Sequence, residues 1–471
     1  MKFNLKNIGI IDKADISLSG LTVITGKNST GKSTVGKALF SIIEGGIRIP
    51  HKYEIDLNNQ IRNTLYEVRI RLGNFKRIVR SHPENNEDDY PNLRKLLGVD
   101  ADFYSLSNEE KLIELDQELK QFDVRKFLPE QNDKYKDLRL YKSRLSEAQD
   151  LLEHLIKLVQ ADPDYSGYEK MSMNDLLRKE FLDQIQPVSW KAGESEIELN
   201  EGSSFTDVKI RDNQIESLSS IGLDSLFERV VLIDDPTIIN QIDQGNLHLG
   251  SMHGEIRALR EHVPDHHESL SDLLQEYSDK TTLEKTQIAS RNKSIMKKLD
   301  AMLAGDISSD EKGDYLVTAS GAKLRLSNLA TGAKTIALIK ILLREGMINS
   351  KTMLILDEPE SHLHPEWQNM FAEVIVLITK VLGTRILMTT HSPNFFYALD
   401  TYARKYDISD KCSFYQAECN KEGHAVITDV SNDTGRIYSD FLDYLVQMRE
   451  IRNDLQKQED RHADNQRKTD E

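Results

Sequence analysis

The stretch Gly26-Lys27-Asn28-Ser29-Thr30-Gly31-Lys32-Ser33 matches the pattern G-x-x-x-x-G-K-[ST] in full. It follows a strand-like run, Gly20-Leu21-Thr22-Val23-Ile24-Thr25, and precedes a segment that reads as a helix from about Ser33 to Ile43. Glycines at both ends allow the backbone to curl so that successive N–H groups point inward at phosphate oxygens. The helix that follows offers its positive N-terminal end to the same anion. In such a loop Lys32 would reach the β- and γ-phosphates, and the Ser33 hydroxyl would ligate Mg²⁺. A chance glycine-rich turn would not need a strand before it and a helix after it.

Further along, Met353-Leu354-Ile355-Leu356-Asp357-Glu358-Pro359 reads as a short buried strand that ends in two carboxylates. Adjacent carboxylates at a strand end are costly unless they meet a cation or water. Asp357 is therefore expected to hold Mg²⁺ through a water, and Glu358 to act as general base on the attacking water. Taken alone, the same residues could form an exposed acidic turn; beside a phosphate loop the catalytic reading prevails. A second strand, Arg385-Ile386-Leu387-Met388-Thr389-Thr390, ends at His391-Ser392-Pro393. A histidine at that end of an α/β sheet lies on the edge where ligands bind. His391 is assigned to the γ-phosphate or the attacking water.

The 471 residues allow two or three domains. A net charge of −16 argues against a surface that grips nucleic acid all over. Two cysteines, Cys412 and Cys419, are too few for a disulfide scaffold or a structural zinc site. The first residues lack the apolar core of a signal peptide, and the most apolar run, Met370 to Leu382, is broken by Glu373 and Lys380. The expectation is a soluble, cytoplasmic protein without a membrane partner. After the first helix the pattern changes to long charged helices. Leu138, Leu145, Leu152 and Val159, with Tyr141, Ala148 and Leu155, mark an a/d seam of about three heptads, or about 35 Å of helix. It reads equally as a short coiled-coil arm or as a helix packed on its own domain. Residues 195–218 read as a β-hairpin region and Arg229–Ile233 as a buried strand. Ile288, Ile295 and Met302 mark a returning helix, and a hairpin turns at Ser320-Gly321.

The order of these motifs resembles the ABC ATPase superfamily, and within it the SMC, RecF and OLD branch. Leu5-Lys6-Asn7-Ile8-Gly9 before the loop, and Glu358-Pro359-Glu360-Ser361-His362-Leu363-His364-Pro365 after the acidic strand, carry that likeness. The resemblance covers residues 1–45 and about 312–405. It implies an α/β fold: an ABC ATPase head with a P-loop and a mixed sheet flanked by helices, interrupted by a long, mainly helical insertion with a short coiled-coil-like arm. The expected division is head at 1–45, insertion with a β-hairpin at 46–229, core strand and helical return at 230–311, head again at 312–456, and a disordered tail at 457–471. The cofactors implied are ATP and Mg²⁺, with Gly26, Lys27, Asn28, Ser29, Thr30, Gly31, Lys32, Ser33 and Thr34 on the nucleotide and Ser33 and Asp357 on the metal. The family's signature motif corresponds to Leu329-Ala330-Thr331-Gly332-Ala333-Lys334. It implies that Ala330, Thr331, Gly332 and Lys334 contact ATP held by the opposite subunit of a head-to-head homodimer or higher homo-oligomer. Ala330 stands where the family carries serine, and Ala333 where it carries Gln or Glu. The alternative is an ordinary core helix capped by Ser327. No glutamine-loop residue is assigned, Gln60 being one of several candidates.

Weaker features leave alternatives open. Arg62, Arg69, Arg71, Lys76, Arg77 and Arg80 could be a solvated face, a nucleic-acid contact or a partner contact. His262, His266 and His267, flanked by Glu261, Pro264 and Asp265, read as an exposed loop rather than metal ligands. Phe395, Phe396 and Tyr397 read as core. Among functions, the likeness to the ATPase subunits of anti-phage systems such as Septu and PARIS implies a switch that controls a separate effector, a nuclease or toxin. No Asp-x-Asp follows His391, so a TOPRIM nuclease domain of the OLD kind is not expected here. The alternative is a RecF- or SMC-like repair ATPase that binds DNA directly. The long separation of Lys32 from Gly332 speaks against a transporter ATPase.

Overall fold

A computed structural model describes residues 1–79, 106, 110–113, 115, 136–160, 165–187, 194–240, 264–275, 280–303, 305–310, 313–318 and 320–469. The chain divides into two compact units, Met1–Ile47 with Glu169–Glu471, and Arg48–Tyr168. In the first, hairpin β1 (Lys2–Ile8) and β2 (Ile11–Ser17) leads to β3 (Leu21–Gly26) and the start of α1 (Lys32–Val79). The second unit contains the rest of α1 and α2 (Lys136–Gln160), and the chain leaves it within α3 (Tyr165–Glu180). A meander follows: β4 (Ser195–Glu201), β5 (Ser204–Arg211) and β6 (Gln214–Ile221). Then come α4 (Leu223–Leu226), β7 (Arg229–Ile233), α5 (Asp265–Gln275) and α6 (Thr282–Leu303). Strands β8 (Gly305–Asp310), β9 (Gly313–Thr318) and β10 (Lys323–Arg325) make a separate antiparallel sheet. The chain closes with α7 (Thr331–Arg344), β11 (Thr352–Asp357), α8 (Pro365–Leu377), β12 (Arg385–Thr390), α9 (Pro393–Lys405), β13 (Cys412–Cys419), β14 (Ala425–Asp429) and α10 (Thr434–Thr469).

Among the described residues the main sheet has eleven strands, in the order β6-β5-β4-β1-β2-β14-β13-β3-β12-β11-β7. From β13 to β7 every pairing is parallel. Apart from their terminal residues, β3, β11 and β12 are buried along their whole length, as continuous apolar runs covered on both faces should be. Helix α7 is covered almost all round, with Ile336 to Leu343 buried. Among the described residues no helix is long and apolar enough to cross a membrane.

Several expectations need correction. The segment assigned to the insertion extends only from Arg48 to Tyr168 in the structure; Glu169 onward rejoins the first unit. The reason is β4, which pairs antiparallel with β1 and carries β5 and β6 into the same sheet. The region expected as one hairpin therefore has three strands. The tail is helical as far as Thr469; its Glu, Lys, Gln, Arg and Ala residues are good helix formers even without an apolar stripe, and Lys457 pairs with Asp454 one turn before it. Tyr397 is exposed, whereas Phe395 and Phe396 are fully buried. In the second unit Ala148, Leu152, Leu155 and Val159 of the seam are buried, as are Ile61, Leu65 and Val68 of α1. Arg71 is bound by Glu67 on its own helix at 2.7 Å and by Glu147 of α2 at 3.3 Å, so that basic position is neutralised. Arg80, Glu261 and His262 lie outside the described residues, as do the side chains of Arg69, Lys76, Arg77, Leu138, Tyr141 and Leu145.

A carboxylate network ties three helices of the first unit. Glu373 of α8 accepts from Lys298 of α6 at 2.6 Å and from Lys405 of α9 at 3.1 Å, and Tyr406 donates to it at 2.5 Å. Burial alone would raise its pKa, but these three donors prevail and lower it from 4.5 to about 2. A depressed carboxylate pKa contributes stability above its unfolded value and loses it as pH falls toward the folded one. Glu373→Gln should therefore cost about 1–3 kcal/mol at neutral pH. In parallel melts, its deficit from the wild type should shrink as pH falls below 4.5 toward 2; a constant deficit would show that the charge is not its source.

Candidate functional site

Strand β3 delivers the glycine-rich loop to the edge of the parallel half-sheet. The loop needs left-handed backbone at Ser29 (φ +62°) and Gly31 (φ +79°). Its two glycines also answer to packing. A methyl group at Gly26 would strike the carbonyl of Ala417 in β13, and one at Gly31 would lie 2.8 Å from Ile11 Cγ1. The glycines thus let β13 and the β1–β2 hairpin close around the loop, besides letting it curl. Lys32 is buried, and its Nζ donates to the carbonyls of Gly26 at 3.0 Å and Lys27 at 2.8 Å. Asn28, Ser29 and Ser33 are exposed, and Thr34 is half-exposed.

Opposite the loop stand the ends of β11 and β12. Register pairs Asp357 with Thr389, whose hydroxyl donates to the Asp357 carboxylate. The same hydroxyl accepts from the Glu358 backbone N–H at 3.0 Å, where Glu358 adopts a positive φ of +46°. One side chain thereby sets the direction of both acids. The Glu358 carboxylate lies 3.7 Å from Lys32 Nζ through one oxygen and 2.9 Å from His391 Nδ1 through the other. Glu358 thus stands between Lys32 and His391, with one carboxylate oxygen toward each. Glu360 is buried, and burial raises its pKa despite the hydrogen bond from Thr390. Gln368 joins the two loops, donating to the carbonyls of Glu360 and Leu363 and accepting from the Ser392 hydroxyl.

A cleft of about 1000 Å³ is lined by the loop from Asn28 to Ser33, Thr34, Asp357, Glu358 and His362, and His391 reaches it through its contact with Glu358. Lys27 faces solvent and takes part through its carbonyl alone. Sequence reasoning missed Asp234 and Asp235, which also line the cleft. A signal was present: Arg229-Val230-Val231-Leu232-Ile233-Asp234-Asp235-Pro236 repeats the form of Met353 to Pro359, an apolar strand ending in two acids and a proline. The two strands are parallel neighbours, with Ile233 paired to Leu356. Gln60, the glutamine-loop candidate, belongs to the other unit.

The signature segment behaves differently at its two ends. Ala330 is the exposed N-cap of α7 without a side-chain cap bond, and Thr331 is half-exposed. Both can meet another molecule. Lys334 cannot do so as placed, because it is buried and its Nζ donates to Asn240 at 2.8 Å. Gly332 is buried too; a methyl group there would strike the carbonyl of His362. In the single chain both residues are thus engaged in packing, Lys334 with Asn240 and Gly332 against the loop after β11. Ser327 sits in a short 3₁₀ turn and does not cap α7.

A family model described as AAA_15, AAA ATPase domain, matches residues 1–396. The chain belongs to this family. Comparison with curated proteins finds no match. Among solved structures, this AAA ATPase domain protein is similar to the SMC head domain from Thermotoga maritima, with 12% identity and a TM-score of 0.36 over 91% of this chain and 98% of that one. It is also similar to an Smc head bound to the C-winged helix domain of ScpA, with 10% identity and a TM-score of 0.41 over 92% and 98%. A third is an Smc head with an extended coiled coil bound to the C-terminal domain of ScpA, derived from Pyrococcus furiosus, with 10% identity and a TM-score of 0.39 over 94% and 98%.

The chemistry of the cleft fits a magnesium-bound triphosphate. The exposed loop presents the start of α1 to an anion, and the carboxylates of Asp235, Asp357 and Glu358 line the cleft where a cation would relieve their repulsion. Ser33 and Asp357 are the residues that could hold Mg²⁺. Lys32→Ala should weaken ATP binding at least about a hundredfold, a loss of nearly 3 kcal/mol; equilibrium titration with a fluorescent ATP analogue measures this, and unchanged affinity would remove the loop from the site.

Proposed function

We propose that the chain is an ATP-binding and ATP-hydrolysing switch that works as a head-to-head dimer and controls a separate effector protein. The observation that carries the catalytic part is that Lys32, Asp357 and Glu358 line one cleft, with His391 2.9 Å from the Glu358 carboxylate. Mg²⁺, when bound, spreads the charge of the phosphates, with Ser33 and Asp357 as its holders. Lys32 exchanges its loop carbonyls for phosphate oxygens. Glu358 takes a proton from the water that attacks the γ-phosphorus, as the bond to the ADP oxygen breaks. His391 fixes the Glu358 carboxylate through Nδ1 and keeps it turned toward the cleft.

The dimeric part rests on Ala330 and Thr331, which stand exposed at the start of α7, where backbone N–H groups can meet an anion. The effector part rests on the likeness to anti-phage ATPases and on charge. A chain with a net charge of −16, whose Arg71 is already bound by two glutamates, suits a protein partner better than direct wrapping by nucleic acid.

Two experiments separate these layers. Glu358→Gln should bind ATP with near wild-type affinity, lose at least about a hundredfold in turnover, and accumulate dimers by light scattering. Hydrolysis at the wild-type rate would exclude Glu358 as the base. Thr331→Arg should leave nucleotide binding by single heads intact while abolishing the dependence of specific turnover on protein concentration; unchanged kinetics would reject a contact across the dimer. Co-purification with and without ATP tests the effector, whereas steep salt-dependent affinity for duplex DNA would favour direct DNA binding instead.

A further inference from the structure

Behind one wall of the cleft lies a cluster that nucleotide chemistry does not use. Asp234 follows β7 and lines the cleft. The first turn of α5 brings two histidines to its carboxylate. His267 Nε2 lies 2.9 Å from Asp234 Oδ1, and His266 Nε2 lies 3.0 Å from Oδ2. The other ring nitrogen of His266, Nδ1, stands 3.0 and 2.8 Å from the two carboxylate oxygens of Glu180. The His266 backbone N–H donates to the same carboxylate at 2.8 Å. His266 and Glu180 are both fully buried, and the Phe40 ring meets the imidazole edge-on. The expected exposed loop is thus the most enclosed histidine site among the described residues.

Two features set the cluster apart from a simple ion pair. His266 Nε2 is buried, and although Asp234 is only 3.0 Å away, no hydrogen-bond partner lies in an acceptable direction. The nitrogen is aimed into the cluster but not satisfied by it. Glu180 meanwhile holds Nδ1, which leaves Nε2 as the free donor, the carboxylate–histidine arrangement that orients a metal-bound imidazole. One donor atom from each of Asp234, His266 and His267 falls within 4.8 Å of the others. Ligands at about 2.0–2.1 Å around a tetrahedral zinc stand about 3.3 Å apart.

We propose that Asp234, His266 and His267 form a binding site for a borderline divalent transition ion, best matched by Zn²⁺, with Glu180 as the positioning carboxylate. Two imidazoles and one carboxylate suit such an ion better than Mg²⁺, which prefers oxygen donors and retains its waters. Three protein ligands leave a fourth coordination position for water or for a group in the cleft. The ion would pin the end of β7 to the starts of α5 and the end of α3, and so stiffen the wall that carries Asp234 and Asp235. The site is separate from Ser33 and Asp357, and it stands whether or not the cleft hydrolyses ATP.

The competing arrangement is an imidazolium clamped between two carboxylates. Burial disfavours that charge, but the nearby carboxylates of Asp234 and Glu180 outweigh it and raise the His266 pKa to about 9. The full-length protein, stripped with chelator and dialysed without nucleotide against Zn²⁺ or Co²⁺, distinguishes the two. The wild type should retain one ion per chain by mass spectrometry of the metal, show the intense visible absorption of four-coordinate Co²⁺, and melt at a higher temperature with Zn²⁺. His267→Gln, at a partly exposed position, should lose at least about tenfold in Zn²⁺ affinity and all of the thermal gain. Glu180→Gln should weaken binding about 10–100-fold while keeping the Co²⁺ spectrum. The proposal falls if the wild type retains no ion, if His267→Gln binds Zn²⁺ as tightly as the wild type, or if nitrogen NMR finds His266 doubly protonated in the presence of Zn²⁺.

Discussion

The parallel pairing of β12 between β3 and β11 governs where every charged group of the cleft can stand. Thr390 sits beside Thr25 and Thr389 beside Asp357, so the phosphate loop, the paired acids and His391 leave the sheet at one edge. Ligands gather outside the carboxyl ends of strands in sheets of this kind. A slip of one residue in β12 would turn Thr389 away from Asp357 and from the Glu358 N–H. Register is held by burial: apart from their terminal residues these three strands expose nothing. A packing constraint spread over the core is thereby converted into the aim of two carboxylates.

That aim brings an electrostatic load. Asp357 and Glu358 line the same cleft as Asp235 from the neighbouring strand, and Glu358 stands between the Lys32 ammonium and the His391 ring. Glu360 stays out of the crowd by being buried, which favours its neutral form although the Thr390 hydroxyl donates to it. The arrangement suits a site whose cations come and go with its occupant. It also explains why the walls are braced by uncharged contacts, such as Gln368 between the two loops.

The head was legible because its signals are local. A glycine-rich loop between strand and helix, and an apolar run ending in acids, each fit within about ten residues. The structure joins them as the residue types demanded. What escaped reading depends on long-range pairing. Strand β13 slots between β14 and β3, and the β4–β6 meander joins β1, neither with a signature of its own. Asp234-Asp235 was readable as a second copy of the acidic strand end, but only once two short apolar runs were compared. His266 read as a loop residue because its flanking charges suggest exposure, while Glu180, its partner, is remote in sequence. The burial of Lys334 and Gly332 was not legible either, because a motif does not reveal which way its residues face.

The glycine at the start of α7 has a mechanical meaning. With no space for even a methyl group at Gly332, the first turn of the helix lies directly against the carbonyl of His362 in the loop after β11. His362 borders the cleft, and Ala330 and Thr331 sit at the outer tip of the same helix. A larger residue at position 332 would therefore push apart the border of the cleft and the exposed helix tip, two surfaces that here share one backbone contact.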